Sequence, residues 1–155
     1  MNLPRHQNAG RVGRLTRSVR AIQIDEDGCH RHEPLACRAA ARLLSERKEV
    51  GDVARAIALL EPSCHAARDC VDVDLFARLL RARNENDDAA RALRILTASC
   101  TNRVDPGDAA KACDAAAEMY DSGEGAAQNA RRARELRARA ARLWRVAGKP
   151  SSCAE

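Results

Sequence analysis

The sequence predicts an all-α chain, an α/α-solenoid of about three helical hairpins preceded by a degenerate half-repeat. Three observations lead there. Ala, Leu, Arg and Glu dominate while β-branched and aromatic residues are scarce, a balance that favours helix over strand. A long segment repeats without a gap at an offset of 36 residues. Apolar residues within each copy recur at helical spacing, between signals that start and stop helices.

The half-repeat comes first. Arg20-Ala21-Ile22 and Cys29 echo Arg55-Ala56-Ile57 and Cys64 further along. The first full hairpin opens at Pro34, a residue pre-set for a first helical position, and runs to about Arg47. Gly51-Asp52 is expected to break and cap the chain before a second helix over Val53–Glu61, where Ala54, Ile57 and Leu60 share a face and Pro62 ends it.

The second hairpin repeats the first. Ala41–Cys64 lies on Ala77–Cys100. Ala41-Arg42-Leu43-Leu44 falls on Ala77-Arg78-Leu79-Leu80, and Ala54-Arg55-Ala56 falls on Ala90-Arg91-Ala92. Arg47, Glu49 and Asp52 fall on Arg83, Glu85 and Asp88; Leu60, Ser63 and Cys64 fall on Leu96, Ser99 and Cys100. Its helices are expected over about Asp72–Arg83 and Asp88–Ser99, with Asp88 as a cap. The third copy starts at Asp105-Pro106, turns at Ser122-Gly123-Glu124-Gly125 and ends in a long helix near Ala127–Ala147. There Ala133, Leu136, Ala140, Leu143, Trp144 and Ala147 form one apolar stripe, and arginines fill the rest. The repeats are bounded at about 34–68, 69–109 and 110–150, within one domain spanning 19–155.

Trp144, Tyr120 and Phe76 are the whole aromatic complement, so the core must come from Ala, Leu, Ile and Val. Each alanine buries little apolar area, and such a core benefits from cross-links or a partner. No stretch reaches the ~18–20 apolar residues of a membrane span.

The chain carries 27 Lys and Arg against 22 Asp and Glu. Arg5, Arg11, Arg14, Arg17 and Arg20 account for the excess of five, with no acid among the first 20 residues. The body is neutral. Residues 1–18 read as a basic arm, disordered until something orders it. A neutral body argues against nucleic acid as the main ligand, because phosphate binding needs clustered positive charge. Binding of nucleic acid through the arm is the alternative. The arginine face of the last helix reads first as solvated surface and second as an acidic-partner contact.

Seven cysteines stand at 29, 37, 64, 70, 100, 113 and 153. In an exported protein such use points to disulfides, and in a cytosolic one to metal or reduced thiols. As written, the N-terminus has no apolar run of the signal-peptide kind, because Ile22 and Ile24 are followed at once by Asp25-Glu26-Asp27. Localisation stays open on this ground, with the cysteines favouring an exported or periplasmic protein. Cys29-His30-Arg31-His32 and Cys64-His65 have metal-like spacings but no paired knuckles. Free buried thiols, disulfides and metal all remain readings of these residues, disulfides first. No catalytic set and no cofactor motif emerges. Gly123-Glu-Gly125 follows no strand and lacks a lysine, so it is read as a turn.

The third copy, Ala112-Cys113 through Met119-Tyr120, Gly123 and Gly125 and on to Leu136, resembles the Sel-one-like repeat, a family of α/α repeats related to tetratricopeptide proteins. Tyr120, Gly123 and Gly125 match that family's tight inter-helix turn. The first two copies lack the turn, and Ala116-Ala117 replaces the family's Leu-Gly step. The resemblance, which covers residues 29–153, implies that cysteine-rich members tie one repeat to the next across eight residues, as Cys29 and Cys37 would. By extension Cys64 pairs with Cys70 and Cys100 with Cys113, leaving Cys153 over because Ala141 stands where its mate is expected. Pairing within hairpins, Cys37 with Cys64 and Cys70 with Cys100, is the rival. The family further implies a scaffold or adaptor for a protein or peptide partner; with no catalytic set, the chain is read as a monomeric binding protein and not as an enzyme. Arg38, Arg42, Arg78 and Arg81 on the first helices are the expected partner surface. Some cysteine-rich members have been described as hydrolytic or penicillin-binding, which is the enzymatic alternative.

Overall fold

The computed structural model describes residues 19–65, 67, 69–102 and 105–148, and the basic arm and Cys153 lie outside them. The described residues form helices and turns with no strand. Helix α1 covers 19–30. It is followed by α2 (Pro34–Arg47), α3 (Asp52–Leu60), a 3-10 turn (Glu61–Ser63), α4 (Val73–Arg83), α5 (Asp88–Asn102), α6 (Pro106–Ser122) and α7 (Ala130–Val146). The chain divides into two compact units, one ending at Leu60 and one beginning at Glu61. The division falls where Pro62, which has no N–H to continue a helical ladder, turns the end of α3 into 3-10 geometry.

In the first unit α2 packs on α3, and Leu44 of α2 and Ile57 and Leu60 of α3 are fully buried. Gly28 of α1 lies so close to α2 that an added Cβ would stand 2.7 Å from the Cβ of Ala36. Arg55 of α3 reaches back to Glu26 of α1 at 2.7 and 2.9 Å.

In the second unit α4 packs on α5, α5 on α6, and α6 on α7. Helix α6 presents Ala109, Ala110, Ala112, Ala116 and Ala117 to its neighbours, all buried. Small side chains let the helix axes approach closely, so a core nearly free of aromatics still fills its interior. Leu80, Leu96 and Met119 supply the bulk.

Helix starts follow local chemistry. Asp72, Asp105 and Asn129 cap α4, α6 and α7 by accepting from Leu75, Asp108 and Arg132 N–H groups. Asn129 starts α7 three residues later than the apolar pattern alone suggests. Asp105 and Pro106 open α6, so a repeat boundary at 109/110 would fall inside that helix; the third hairpin begins at its cap. Helix α5 runs on to Asn102, past the expected Ser99.

Candidate functional site

The three expected cysteine pairs stand at disulfide distance. Cys29 and Cys37 have an S–S separation of 2.01 Å and Cα atoms 4.5 Å apart. For Cys64 and Cys70 the values are 2.00 and 4.0 Å, and for Cys100 and Cys113 they are 2.05 and 4.7 Å. Within-hairpin pairing of Cys37 with Cys64 and Cys70 with Cys100 is not the arrangement found. The physical reason is chain direction. Cys29 and Cys100 lie near the ends of α1 and α5 and pair with the helix that follows, and Cys64 and Cys70 lie in the connection between the 3-10 turn and α4, so each pair spans one short connection that keeps the Cα atoms close.

The four arginines expected to meet a partner separate into different roles. Arg38 is half-buried and Arg42 exposed on α2 in the first unit. On α4, Arg78 is exposed and pairs with Asp74 one turn earlier at 3.0 Å. Surface pairs of this kind hold weakly. Arg81 differs. Its guanidinium donates to both Glu124 oxygens at 2.8 and 2.7 Å, and Glu118 stands 3.6 Å away. The hydrogen bond to Glu124 raises the Arg81 pKa above its usual value. Arg81 is therefore a strut that ties α4 to the turn of the third hairpin.

Sequence reasoning also missed a duplicated clamp. The sequence predicts Asp52 and Asp88 as caps at the starts of their helices. Each is instead a nearly inaccessible carboxylate, 1% and 2% exposed, facing backwards into the preceding turn. Asp52 accepts from Arg47 Nε at 2.8 Å and from the Glu49 N–H at 2.9 Å. Asp88 accepts from Arg83 Nε at 2.7 Å, Arg83 Nη2 at 2.7 Å and the Glu85 N–H at 3.1 Å. The arginine hydrogen bond holds each carboxyl below the usual carboxylate range, ahead of the opposing effect of burial. A planar guanidinium matches a carboxylate two-on-two, which explains why arginine stands at both positions. The clamp closes a turn whose last helical residue hands over to Lys48 or Asn84, both left-handed at φ 57° and 50°. Arg47, Glu49 and Asp52 match Arg83, Glu85 and Asp88 in the offset of 36, so the signal was on the page. Side-chain reach across five residues was not.

A second duplicated contact joins successive copies. Arg55 binds Glu26, and Arg91 binds Glu61. Arg91 also lies over the Phe76 ring, 6.0 Å from its centre. These pairs equate α1 with α3, as the half-repeat implied.

The open surface of the second unit centres on α5. Ala90, Arg94, Ala98 and Asn102 are spaced by four and form one ridge along the helix. On one side a groove of about 620 Å³ runs between that ridge and Cys64, His65 and Phe76. On the other side a groove of about 510 Å³ runs between the ridge and Tyr120, Gly125 and Ala126. Arg94, Ala98 and Asn102 line both. Alanines at 90 and 98 keep the ridge low, and Arg94 rises from it, exposed and with no acidic partner among the described residues. Among the described residues no carboxylate lines either groove. At the position matching Arg94 the first hairpin carries Ala58, and Asn102 matches Ala66. Departures between otherwise matching copies were the sequence signal for this face.

Among the described residues no three His, Cys, Asp or Glu side chains group as metal ligands, and no helix is long and apolar enough to cross a membrane. Comparison of the chain with family models, with curated proteins and with solved structures finds no match.

Proposed function

We propose that this chain is an exported protein-interaction scaffold, its hairpins stacked as a short Sel-one-like solenoid that holds a partner polypeptide on its open helical faces. The observation that carries this reading is the duplicated clamp. Arg47 with Asp52 and Arg83 with Asp88 make the same contacts 36 residues apart, and the links from Arg55 to Glu26 and from Arg91 to Glu61 recur in kind at nearly the same offset. Hairpins built alike on the inside leave their outer faces free to vary, which is how helical repeat proteins acquire binding surfaces. Wide, shallow grooves of the kind beside α5 suit a peptide segment better than a small substrate. The three cysteine pairs at disulfide distance support an oxidising compartment, where such links persist.

Two measurements test this. Non-reducing peptide mapping of the exported protein is expected to recover the links Cys29–Cys37, Cys64–Cys70 and Cys100–Cys113. Free thiols throughout would remove the support for export. A pull-down with the full chain and with a chain lacking residues 1–20 is expected to retain the same polypeptide in both. Recovery of nucleic acid alone, lost with the arm, would overturn the scaffold reading. So would turnover of an acyl or β-lactam substrate that disappears when one cysteine or histidine is replaced.

A further inference from the structure

We propose that the outer face of α5 is a binding track for an acidic, extended segment of a partner polypeptide, with one carboxylate seated on Arg94. This rests on the protein-binding reading above and names its site and the chemistry of its ligand.

The track has three physical features. Its length comes from the ridge: Ala90 to Asn102 is 12 helical steps, about 18 Å at ~1.5 Å per residue. That matches roughly five residues of an extended chain at ~3.3 Å each. Its width comes from alanines at 90 and 98, which leave a low floor between two grooves that share Arg94, Ala98 and Asn102.

Its charge comes from composition at the surface. Elsewhere in the second unit the arginines with close acidic neighbours are numerous: Arg81 on Glu124, Arg83 on Asp88, Arg91 on Glu61 and Arg137 on Asp121. Arg94 has none among the described residues, although the body of the chain has as many acids as bases. His65 adds a donor on one side and Tyr120 a hydroxyl on the other. The Asn102 amide can both donate to and accept from a passing backbone. An anionic side chain would find the guanidinium uncompensated and no carboxylate to repel it.

A polypeptide fits this better than a nucleic acid. One unpaired cation answers one carboxylate, whereas a nucleic acid strand gains affinity by neutralising several phosphates in succession. Arg91, the other guanidinium on the track, is already held by Glu61 and Asp88.

The test selects phage-displayed random peptides on the oxidised full chain, then measures binding of the selected sequences as labelled synthetic peptides. Selected peptides are expected to be enriched in Asp and Glu relative to the starting library. Arg94→Glu is expected to weaken them by about tenfold or more, the loss of a charge-assisted contact. Arg94→Lys should keep part of the affinity, and Arg145→Glu, on the exposed side of α7, should leave it unchanged. Ala98→Gln, which narrows both grooves without changing charge, should also weaken binding. Circular dichroism of each variant checks that the helices persist.

Peptides that bind equally well to the Arg94→Glu and Ala98→Gln variants would overturn the track while leaving the scaffold reading in place. Failure to select any peptide would count against both. Selection of peptides without acidic enrichment would overturn the ligand chemistry. A single-stranded oligonucleotide that binds the full chain and is lost in Arg94→Glu would assign the track to nucleic acid instead.

Discussion

The first two hairpins and the third reverse the chain in different ways. Between α2 and α3, and between α4 and α5, an arginine at the end of one helix grips a buried aspartate at the start of the next. Between α6 and α7 no such pair exists among the described residues. Gly123 ends α6 in the left-handed region at φ 74°, Gly125 follows at φ 77°, and Asn129 donates its N–H to the Tyr120 carbonyl at 2.9 Å. An added Cβ on Gly125 would stand 2.4 Å from the Ala89 carbonyl oxygen, at the start of α5. One kind of turn is held by charge and the other by the absence of a side chain. The contrast teaches that a repeated fold need not repeat its turn chemistry, provided each turn satisfies its backbone groups.

The contrast can be broken first at the clamps. Asp52→Ala removes a buried carboxylate and strands the Arg47 guanidinium, and is expected to cost about 3 kcal/mol, in the range for breaking one partner of a buried ion pair. Asp88→Ala should behave alike, since its contacts are the same. Chemical denaturation of both variants measures this. Equal losses would support one clamp used twice.

Acid should separate the two turn types. Both aspartates have folded pKa values below the unfolded value, so their contribution is fully present above about pH 4. It is lost as pH falls from there through the folded values. Their arginines stay charged throughout and add no pH dependence of their own. Thermal melts from neutral pH downward should therefore show an acid-side loss of stability that is flattened in the Asp52→Asn, Asp88→Asn double variant. A double variant with an unchanged acid limb would assign the acid sensitivity elsewhere.

At the glycine turn, Gly125→Ala is expected to cost at least about 2 kcal/mol, because the left-handed backbone and the Ala89 carbonyl both oppose a side chain. Gly51 shares the positive φ, at 85°, but has nothing within 4 Å of an added Cβ. Gly51→Ala should then cost only the conformational part, roughly 1 kcal/mol. Similar losses at both positions would show that the close approach to α5 contributes nothing.

Smaller effects sharpen the comparison further. Trp144 on α7 donates from Nε1 to Asp114 of α6 at 2.9 Å. Trp144→Phe should cost about 1 kcal/mol for that hydrogen bond. Arg78→Ala removes only an exposed pair with Asp74 and is expected to change stability by less than about 0.5 kcal/mol. An arginine in a clamp and an arginine on the surface thus differ by several-fold in effect, though both make ion pairs.

Much of the architecture was readable because local chemistry fixes it. Pro34, Asp105-Pro106 and Gly123 mark helix ends through backbone constraints that hold in any fold. The face of α7 followed from the spacing of Ala133, Leu136 and Ala140, all buried. The candidate surface was read less well. Arg81 is expected at a partner surface because the resemblance places the first helices of each hairpin on the concave side, and only the third hairpin's Glu124, 43 residues later, shows where the guanidinium goes. In sequence, Arg94 is one arginine among many, and nothing close along the chain sets it apart.

The amino-acid order alone determined the helical class and the repeat of 36 residues, since each depends on interactions between residues close along the chain; it left two cysteine pairings open, and the structure separates them. Tertiary structure decided which charges are spent on holding the fold and which are left over. An ion pair depends on where two side-chain tips meet, within ~4 Å in three dimensions, and spacing along a helix restricts that meeting without settling it. Thus Arg83 and Asp88, five apart, close a turn, Arg81 reaches across to another hairpin, and Arg94 on the neighbouring helix is exposed with no acid beside it among the described residues.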